Sequence, residues 1–256
     1  MAGTVAWTAV APVKGLALEL RDAIELGEGG PVGDRRFYLV DESGRLVNAK
    51  GAGVLQQVRP VYDHAARTLV LHLREGRPVE GPVELGPEID TDFWGEAKRA
   101  RLVTGPWSDA LSDLTGRNLR LVEGEQPAVD RGRSGAATLV STAALAALAE
   151  VLGVEGVDGR RFRMHVGVDG VDAHAEDSWL GRRVRVGEAL LIPQGNVGRC
   201  AVTTQNPDSG RPDLDTLKAL ASYRGDLDTT EPLPFGVYAS VAEPGVVRVG
   251  DPVTLV

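Results

Sequence analysis

Cys200 is the only cysteine among the 256 residues, and its thiol can act as a nucleophile or as a metal ligand. It lies in the stretch 193–210, where Gly195 and Gly198 allow the backbone to approach a ligand closely. Arg199 beside it adds a fixed positive charge, which favours the thiolate, the form that attacks electrophiles and binds soft metals. The alternative is a small buried residue, as most free cysteines are. A glycine-rich, arginine-flanked loop is unlike a core position, so both interpretations stay open.

Composition and charge narrow the classes of function. A net charge of −8 without a basic cluster argues against a nucleic-acid partner. A single cysteine excludes an internal disulfide framework and a four-cysteine zinc or iron–sulfur site, so electrons for a redox reaction must come from another protein. The N-terminal residues lack signal-peptide features, and no apolar run approaches the roughly 18 residues that cross a bilayer. We therefore expect a cytoplasmic protein without a membrane partner.

Most of the chain shows short apolar or alternating runs between Gly and Pro turns, a pattern that predicts strands. These strands would position the loop that carries Cys200. Strands are predicted over 5–10, 16–20, 23–26, 36–40, 45–47, 68–73, 119–122, 137–140, 162–169, 183–192 and 202–204. Helices are predicted over 106–114, 142–152 and 213–220, the second of which is alanine-rich and stops at Gly153. The segments 76–89 and 123–134 are predicted to be connections. The length suits two domains, with a boundary after the first helix.

Several blocks of the second half resemble one family. A Gly-Arg-Cys-x-x-Thr-Thr-x-x-Pro-Asp-Ser-Gly block at 198–210 is followed by Pro-Phe-Gly-Val-Tyr at 234–238 and a Pro-Gly-Val-Val-Arg-Val-Gly-Asp-Pro-Val run at 244–253. Their order and spacing resemble the C-terminal part of the MOSC superfamily, named after the molybdenum cofactor sulfurase C-terminal domain. Upstream, 12–15 and 33–35 are similar to the N-terminal β-barrel domain of amidoxime-reducing-component-like proteins. The resemblance covers nearly the whole chain.

This resemblance implies a fold and a cofactor. The fold is mixed α/β but mostly β, with an N-terminal β-barrel-like domain over 1–118 packed on a β-barrel MOSC domain over 119–256 that carries a few short helices. The cofactor is a molybdopterin, an anionic phosphate-bearing pterin that holds molybdenum. Such a ligand needs cations and backbone donors.

Four residues match family positions or suit an anion. Lys14 and Arg35 match the positions that the resemblance places near the phosphate. Ser141 and Thr142 begin the predicted helix over 142–152, where hydroxyls and free N–H groups suit an anion. The simpler alternative is that Lys14 is a solvated charge, Arg35 pairs with Asp34 and Ser141 only caps the helix.

The block at 160–165 departs from the family pattern. It resembles Arg-Phe-Arg-Pro-Asn, in which the second arginine and the asparagine approach the pterin, so Arg163 carries over directly. His165 stands where asparagine is expected and is interpreted as a replacement hydrogen-bonding group that approaches the cofactor. A neutral histidine satisfied within a strand is the alternative. Asn206 also replaces an aspartate of the family's turn, which affects the expected geometry of the cofactor site more than the fold.

The leading hypothesis is an oxidoreductase in which the Cys200 thiolate ligates molybdenum and Arg199 helps to hold the cofactor. The resemblance implies two-electron reduction of N-hydroxylated small molecules, with a ferredoxin- or flavin-type protein as the external electron donor. A second hypothesis is sulfur transfer or C–S bond chemistry, with Cys200 as persulfide carrier or nucleophile. A third is a non-catalytic carrier of the molybdenum cofactor.

Overall fold

The computed structural model describes residues 2–125 and 132–256. These residues form 19 strands and three α-helices, joined by 3-10 turns and loops. The strands are β1 (Ala2–Val10), β2 (Glu19–Arg21), β3 (Ala23–Gly27), β4 (Gly30–Pro31), β5 (Phe37–Val40), β6 (Leu46–Val47), β7 (Arg59–Asp63), β8 (Thr68–His72), β9 (Val79–Pro82), β10 (Glu84–Phe93), β11 (Glu96–Thr104), β12 (Arg120–Gly124), β13 (Ala137–Ser141), β14 (Val166–Asp169), β15 (Val184–Val186), β16 (Ala189–Gly198), β17 (Pro234–Glu243), β18 (Gly245–Arg248) and β19 (Pro252–Leu255). The helices are α1 (Trp107–Thr115), α2 (Thr142–Leu152) and α3 (Thr216–Arg224).

Seven strands close into a barrel in the order β14-β13-β17-β16-β15-β19-β1, because β1 pairs antiparallel with both β19 and β14. Strand β2 adds to the outside of this ring on β1. The barrel is filled by β-branched and leucine side chains, among them Val168, Val184 and Leu191. Helices α2 and α3 pack against each other, and their apolar side chains share a second cluster with Phe162 and Phe235.

The first half of the chain builds a five-stranded sheet in the order β10-β11-β12-β5-β6, beside the three-stranded sheet β7-β8-β9. Its core lies around Phe37, Leu55 and Trp107, each fully buried. Phe37 also packs edge-on against Tyr62, with 5.0 Å between the ring centroids. This core is separate from the barrel core, which fits a fold of two packed units.

The two units are interleaved along the chain. Strand β1 belongs to the barrel although most of the residues after it build the first unit, and β12 returns to complete the five-stranded sheet. The two units also meet where the 3-10 turn Gly53–Gln57 contacts the loop 205–210. There the Gln56 and Gln205 amides hydrogen-bond at 2.6 Å, and Gln205 also donates to the Ala49 carbonyl at 3.0 Å.

The predicted fold class is confirmed: the protein is mostly β, with two β-rich units and three short helices among the described residues. Helix α2 has the predicted bounds, and α1 and α3 overlap the other two predicted helices. The predicted boundary between 118 and 119 stays a prediction. None of the helices in 2–125 and 132–256 is long and apolar enough to cross a membrane.

Five local predictions were wrong. In the segment 16–20 only Glu19 and Leu20 belong to a strand, because the Leu16 N–H donates to the Val13 carbonyl and turns the chain before β2. The segment 202–204 is part of a 3-10 turn, Ala201–Thr204, because the hydroxyls of Thr203 and Thr204 donate to carbonyls three residues earlier and favour a tight turn over a strand. The segment 162–169 begins as the end of another 3-10 turn, and its strand starts only at Val166. The segment 76–89 contains β9 and the first six of the ten residues of β10. The predicted loop 123–134 begins inside β12, and its residues 126–131 lie outside the described part of the chain.

Candidate active site

A cavity of about 210 Å³ lies at the junction of the two units, and both contribute to its wall. The first unit provides Lys14 and Arg35, and the second provides Arg163, Arg199 and Cys200. Among the described residues, the lining includes six Lys or Arg side chains and no Asp or Glu: the cations are Lys14, Arg35, Lys50, Arg161, Arg163 and Arg199. Because the whole chain carries a net charge of −8, this concentration of positive charge is a property of the cavity and not of the protein surface in general.

The Cys200 side chain is exposed at this cavity. Strand β16 ends at Gly198, and Cys200 precedes the 3-10 turn Ala201–Thr204, so the thiol lies on the predicted loop. The Cys200 carbonyl accepts hydrogen bonds from both the N–H and the hydroxyl of Thr203, the latter at 3.0 Å. The Gly198 N–H donates to Glu231 at 2.9 Å, and a Cβ at Gly198 would lie 2.8 Å from the same carboxylate, so only glycine fits. The backbone on both sides of the thiol is therefore fixed.

Arg199 builds the wall of the cavity. Its guanidinium donates to the carbonyls of Phe162, at 2.8 Å, and of Phe235, and lies 5.3 Å from the centre of the Phe162 ring. It thereby ties the loop that precedes β14 to the first strand residues of β17. The predicted influence of Arg199 on the charge state of Cys200 stays a prediction.

Lys14 is a buried cation. It follows β1 by four residues, where Val13 forms a bridge with Phe37 and the Lys14 N–H donates to the Phe37 carbonyl at 2.8 Å. Only 8% of Lys14 is exposed, and its ammonium lies 5.4 Å from the centre of the Phe93 ring. The alternative of a solvated surface charge is thus wrong, because charged lysines are almost never this buried without a reason in the surrounding structure.

Arg35 belongs to a buried polar group that joins the two units. Asp34 is 2% exposed and accepts the Ala11 N–H at 2.7 Å, while its other oxygen pairs with Arg35. His165 Nε2 lies 3.0 Å from the Asp34 carboxylate and 2.7 Å from the Arg35 guanidinium. Burial alone would raise the pKa of Asp34, but the charge of Arg35 and the contact with His165 hold that pKa well below its usual value. Arg35 therefore both pairs with Asp34 and lines the cavity.

His165 lies behind the cavity wall. It is 1% exposed, does not line the cavity, and has its Nδ1 buried with no hydrogen-bond partner among the described residues. Its backbone N–H donates to the Thr138 hydroxyl at 2.9 Å. A direct contact of His165 with a cofactor stays a prediction. Its contact with Arg35 connects it to a residue that lines the cavity.

Arg163 has a left-handed backbone conformation, with φ of 54°, and lines the cavity. Its carbonyl accepts a long hydrogen bond from the Arg35 guanidinium at 3.4 Å. Arg161, which the sequence did not single out, also lines the cavity and pairs with Asp213 at 2.7 Å. Non-glycine residues with a left-handed backbone, such as Arg163, are uncommon and cluster at functional sites.

Ser141 and Thr142 lie apart from this cavity. Ser141 is fully buried, its hydroxyl accepts the His174 N–H at 3.1 Å, and its own N–H donates to Glu176 at 3.2 Å. The Thr142 hydroxyl donates to Asp169 at 2.6 Å. Burial raises the pKa of Glu176. The start of α2 thus meets protein groups in this structure, and a role of Ser141 and Thr142 in cofactor binding stays a prediction.

Known proteins match the whole chain. A family model described as the MOSC domain matches residues 126–254, and one described as the MOSC N-terminal beta barrel domain matches residues 2–117. The mitochondrial amidoxime-reducing component 1 of Homo sapiens is 30% identical over 295 residues, which cover 99% of this chain and 83% of the human protein. The component 1 of Mus musculus is 40% identical over 101 residues, but these span only 29% of the mouse protein and 37% of this chain. The crystal structure of the YUAD protein from Bacillus subtilis aligns over 99% of this chain and 94% of its own, at 14% identity and a TM-score of 0.46.

Proposed function

Because this chain belongs to the MOSC family and carries the MOSC N-terminal beta barrel domain, we propose that it is a molybdenum-cofactor-dependent oxidoreductase that reduces N-hydroxylated small molecules. The human and mouse relatives are named amidoxime-reducing components, and an amidoxime carries an N-hydroxyl group. The proposed site is the cavity at the junction of the two units.

One observation carries the proposal: an exposed thiol shares a cavity with six cationic side chains, and no carboxylate lines it among the described residues. A phosphate-bearing pterin requires positive charge, and molybdenum requires a soft ligand that can reach it. The residues present therefore fit this cofactor. A cavity built to hold a cation would show the opposite set of charges.

Each of these residues is assigned to the part of the cofactor that its chemistry suits. Cys200 would provide the thiolate that ligates the metal. Lys14 and Arg35 would hold the phosphate, since a buried ammonium and a guanidinium fixed by Asp34 are preorganised donors. Arg163 would donate to the pterin from its left-handed position, and Arg199 would keep the wall beneath it in place.

When bound, the cofactor would supply the two electrons that, together with two protons from solvent, convert an N–OH group to N–H with release of water. The chain's own contribution is to bind and orient, because the Cys200 loop and the Arg35 group are both fixed by hydrogen bonds before any ligand arrives. The proposed electron source is a ferredoxin- or flavin-type protein, since the single cysteine cannot build an iron–sulfur site. A cytoplasmic location likewise stays a prediction.

The test is a metal and pterin analysis of protein produced in a host that makes the molybdenum cofactor and is supplied with molybdate. We expect stoichiometric molybdenum, a pterin fluorophore after oxidation, and reduction of benzamidoxime to benzamidine with a chemical reductant. Cys200→Ala should lose the metal signal, whereas Lys218→Ala, at an exposed lysine of α3 outside the cavity, should keep it. Folded protein with neither molybdenum nor pterin would contradict the proposal.

The exposed position of Cys200 also favours a second candidate, sulfur transfer, because an accessible thiolate can carry a persulfide. Intact mass under non-reducing conditions separates the two functions. An added sulfur atom on Cys200 after incubation with a sulfur donor, without bound molybdenum, would support transfer. Bound pterin without turnover with any reductant would support a cofactor carrier.

A further inference from the structure

Trp94 is the exposed tryptophan of this protein. All four tryptophans lie within the described residues: Trp107 and Trp179 are buried, Trp7 is partly buried, and Trp94 is 57% exposed. It also lines the cavity that contains Cys200. An indole that is open both to solvent and to this cavity can contact a ligand bound there.

The turn that carries Trp94 disfavours a bulky side chain. Strands β10 and β11 pair up to Phe93 and Glu96, so Trp94 and Gly95 form a two-residue hairpin loop. Both have positive φ, 62° and 87°, as in a type I′ turn. Asn, Asp or Gly is preferred at such a position, and a large aromatic residue there is a conformational outlier. The fold alone would therefore be better served by asparagine at 94.

The hairpin tip is held firmly beneath the indole. Phe93 is buried and packs edge-on against Tyr38, with 5.3 Å between ring centroids. The Asp92 carboxylate accepts the Gly95 N–H at 2.6 Å, and the Asp92 N–H donates to the Gly44 carbonyl at 2.9 Å. Trp94 is thus presented on a rigid support, as a preorganised binding surface requires.

We propose that Trp94 forms the aromatic wall of the substrate site and selects planar, conjugated N-hydroxylated substrates. This inference rests on the proposed function. An indole face stacks on a flat ring and contributes beyond the area it buries. Aryl amidoximes, with a ring next to the N-hydroxyl group, therefore fit better than alkyl amidoximes.

The experiment compares Trp94→Asn, Trp94→Phe and Leu20→Asn in molybdenum-loaded protein. We measure the ratio of kcat/KM for benzamidoxime to kcat/KM for acetamidoxime. If the indole stacks on the substrate, Trp94→Asn should lower this ratio about three- to tenfold through a higher KM for benzamidoxime. Trp94→Phe keeps an aromatic face and should retain most of the wild-type ratio. Leu20 is exposed to a similar degree, 58%, but lies outside the cavity, so its variant should keep the ratio. Because asparagine suits the turn, Trp94→Asn should unfold at the same or a higher temperature.

A binding measurement makes the test independent of turnover. Benzamidoxime should protect the wild-type protein from acrylamide quenching of tryptophan fluorescence, and this protection should vanish in Trp94→Asn. If the protein holds no molybdenum and reduces neither amidoxime, the proposed function fails, and the quenching titration still decides the role of Trp94.

Three results would overturn the inference. An unchanged ratio with unchanged protection would show that Trp94 does not touch the substrate. A loss of molybdenum in Trp94→Asn would place the indole against the cofactor. A fall in rate with a protein electron donor, but not with a chemical reductant, would place it in the interface with that donor.

Discussion

Asp34→Asn tests whether the Asp34, Arg35 and His165 group stabilises the junction of the two units. The wild-type carboxylate neutralises Arg35 and accepts the Ala11 N–H, which follows the last residue of β1. Asparagine keeps an oxygen for that N–H but removes the charge. The Arg35 guanidinium would then lie next to an amide NH₂ or oxygen in a buried setting, since its side chain is only 14% exposed.

The magnitude follows from this burial. Breaking a buried ion pair by removing one partner costs about 3 to 5 kcal/mol. Arg35 opens onto the cavity, so water reaches part of the uncompensated charge and the lower end of that range applies. We therefore expect Asp34→Asn to lower the free energy of unfolding by about 3 kcal/mol at pH 7.

The dependence on pH has a definite sign. The pKa of Asp34 is lower in the folded protein than in the unfolded chain, so the carboxylate stabilises the fold above the unfolded value of about 4 and loses this effect as pH falls towards the folded value. The difference between wild type and Asp34→Asn should thus be constant from about pH 5 to 8 and narrow below about pH 4.

Urea unfolding followed by tryptophan fluorescence at pH 7 and at acidic pH measures both quantities. Asp172→Asn is the matched control, because Asp172 is exposed and contributes only its backbone carbonyl to a hydrogen bond with Ala175. A difference below about 1 kcal/mol for Asp34→Asn at pH 7, or one that grows on acidification, would refute the assignment of a stabilising buried pair.

Three further outcomes are expected. Cys200→Ala should change the free energy of unfolding by less than about 1 kcal/mol in urea, because the side chain is exposed; a larger loss would make Cys200 a structural residue. Lys14→Ala should weaken cofactor retention by about ten- to a hundredfold in dilution experiments, as loss of a charge-assisted hydrogen bond implies, while Lys218→Ala retains it; equal retention would remove Lys14 from the site. Gly210→Ala should destabilise the protein by about 3 kcal/mol or more, because a Cβ would lie 1.9 Å from the Gly53 carbonyl oxygen. Gly153→Ala, with a similar φ of 66° but nothing within 4 Å, should cost clearly less, and equal costs would show that backbone strain alone is responsible.

Local signals in the sequence predicted local structure well. Helix α2 has its predicted bounds because alanine and leucine propensity and the left-handed Gly153 act within one segment. The turn Ala201–Thr204 was missed because strand propensity of Val and Thr ignores the hydroxyl-to-carbonyl bonds that a tight turn allows. Helix α3 begins at Thr216 rather than 213, and the Asp213 carboxylate pairs instead with Arg161, which lies 52 residues earlier in the chain. That interaction depends on the fold and leaves no trace in the local pattern.

The candidate site was only partly predictable for the same reason. Cys200 was found from its own chemistry, and Lys14 and Arg35 from a family resemblance. Trp94 was missed because Trp-Gly, unlike Asn-Gly or Asp-Gly, does not signal a hairpin turn, and because the preceding segment 76–89 was interpreted as a connection. Ser141, which precedes α2, was predicted to suit an anion, but its position against Glu176 is set by tertiary packing.

The interleaved topology explains why one short stretch of chain controls the cavity. Strand β1 closes the barrel by pairing with β14 and β19, and its end is fixed by the Ala9 N–H, which donates to the His165 carbonyl at 2.8 Å. Four residues beyond β1 the chain places Lys14 in the cavity, and Arg35 is tied back to the same corner by its N–H, which donates to the Ala11 carbonyl at 2.7 Å. Lys14 and Arg35 are therefore positioned by the barrel that carries Cys200. Any change that loosens β1 should therefore displace Lys14 and Arg35 relative to Cys200, because the thiol follows a different strand of the barrel, β16.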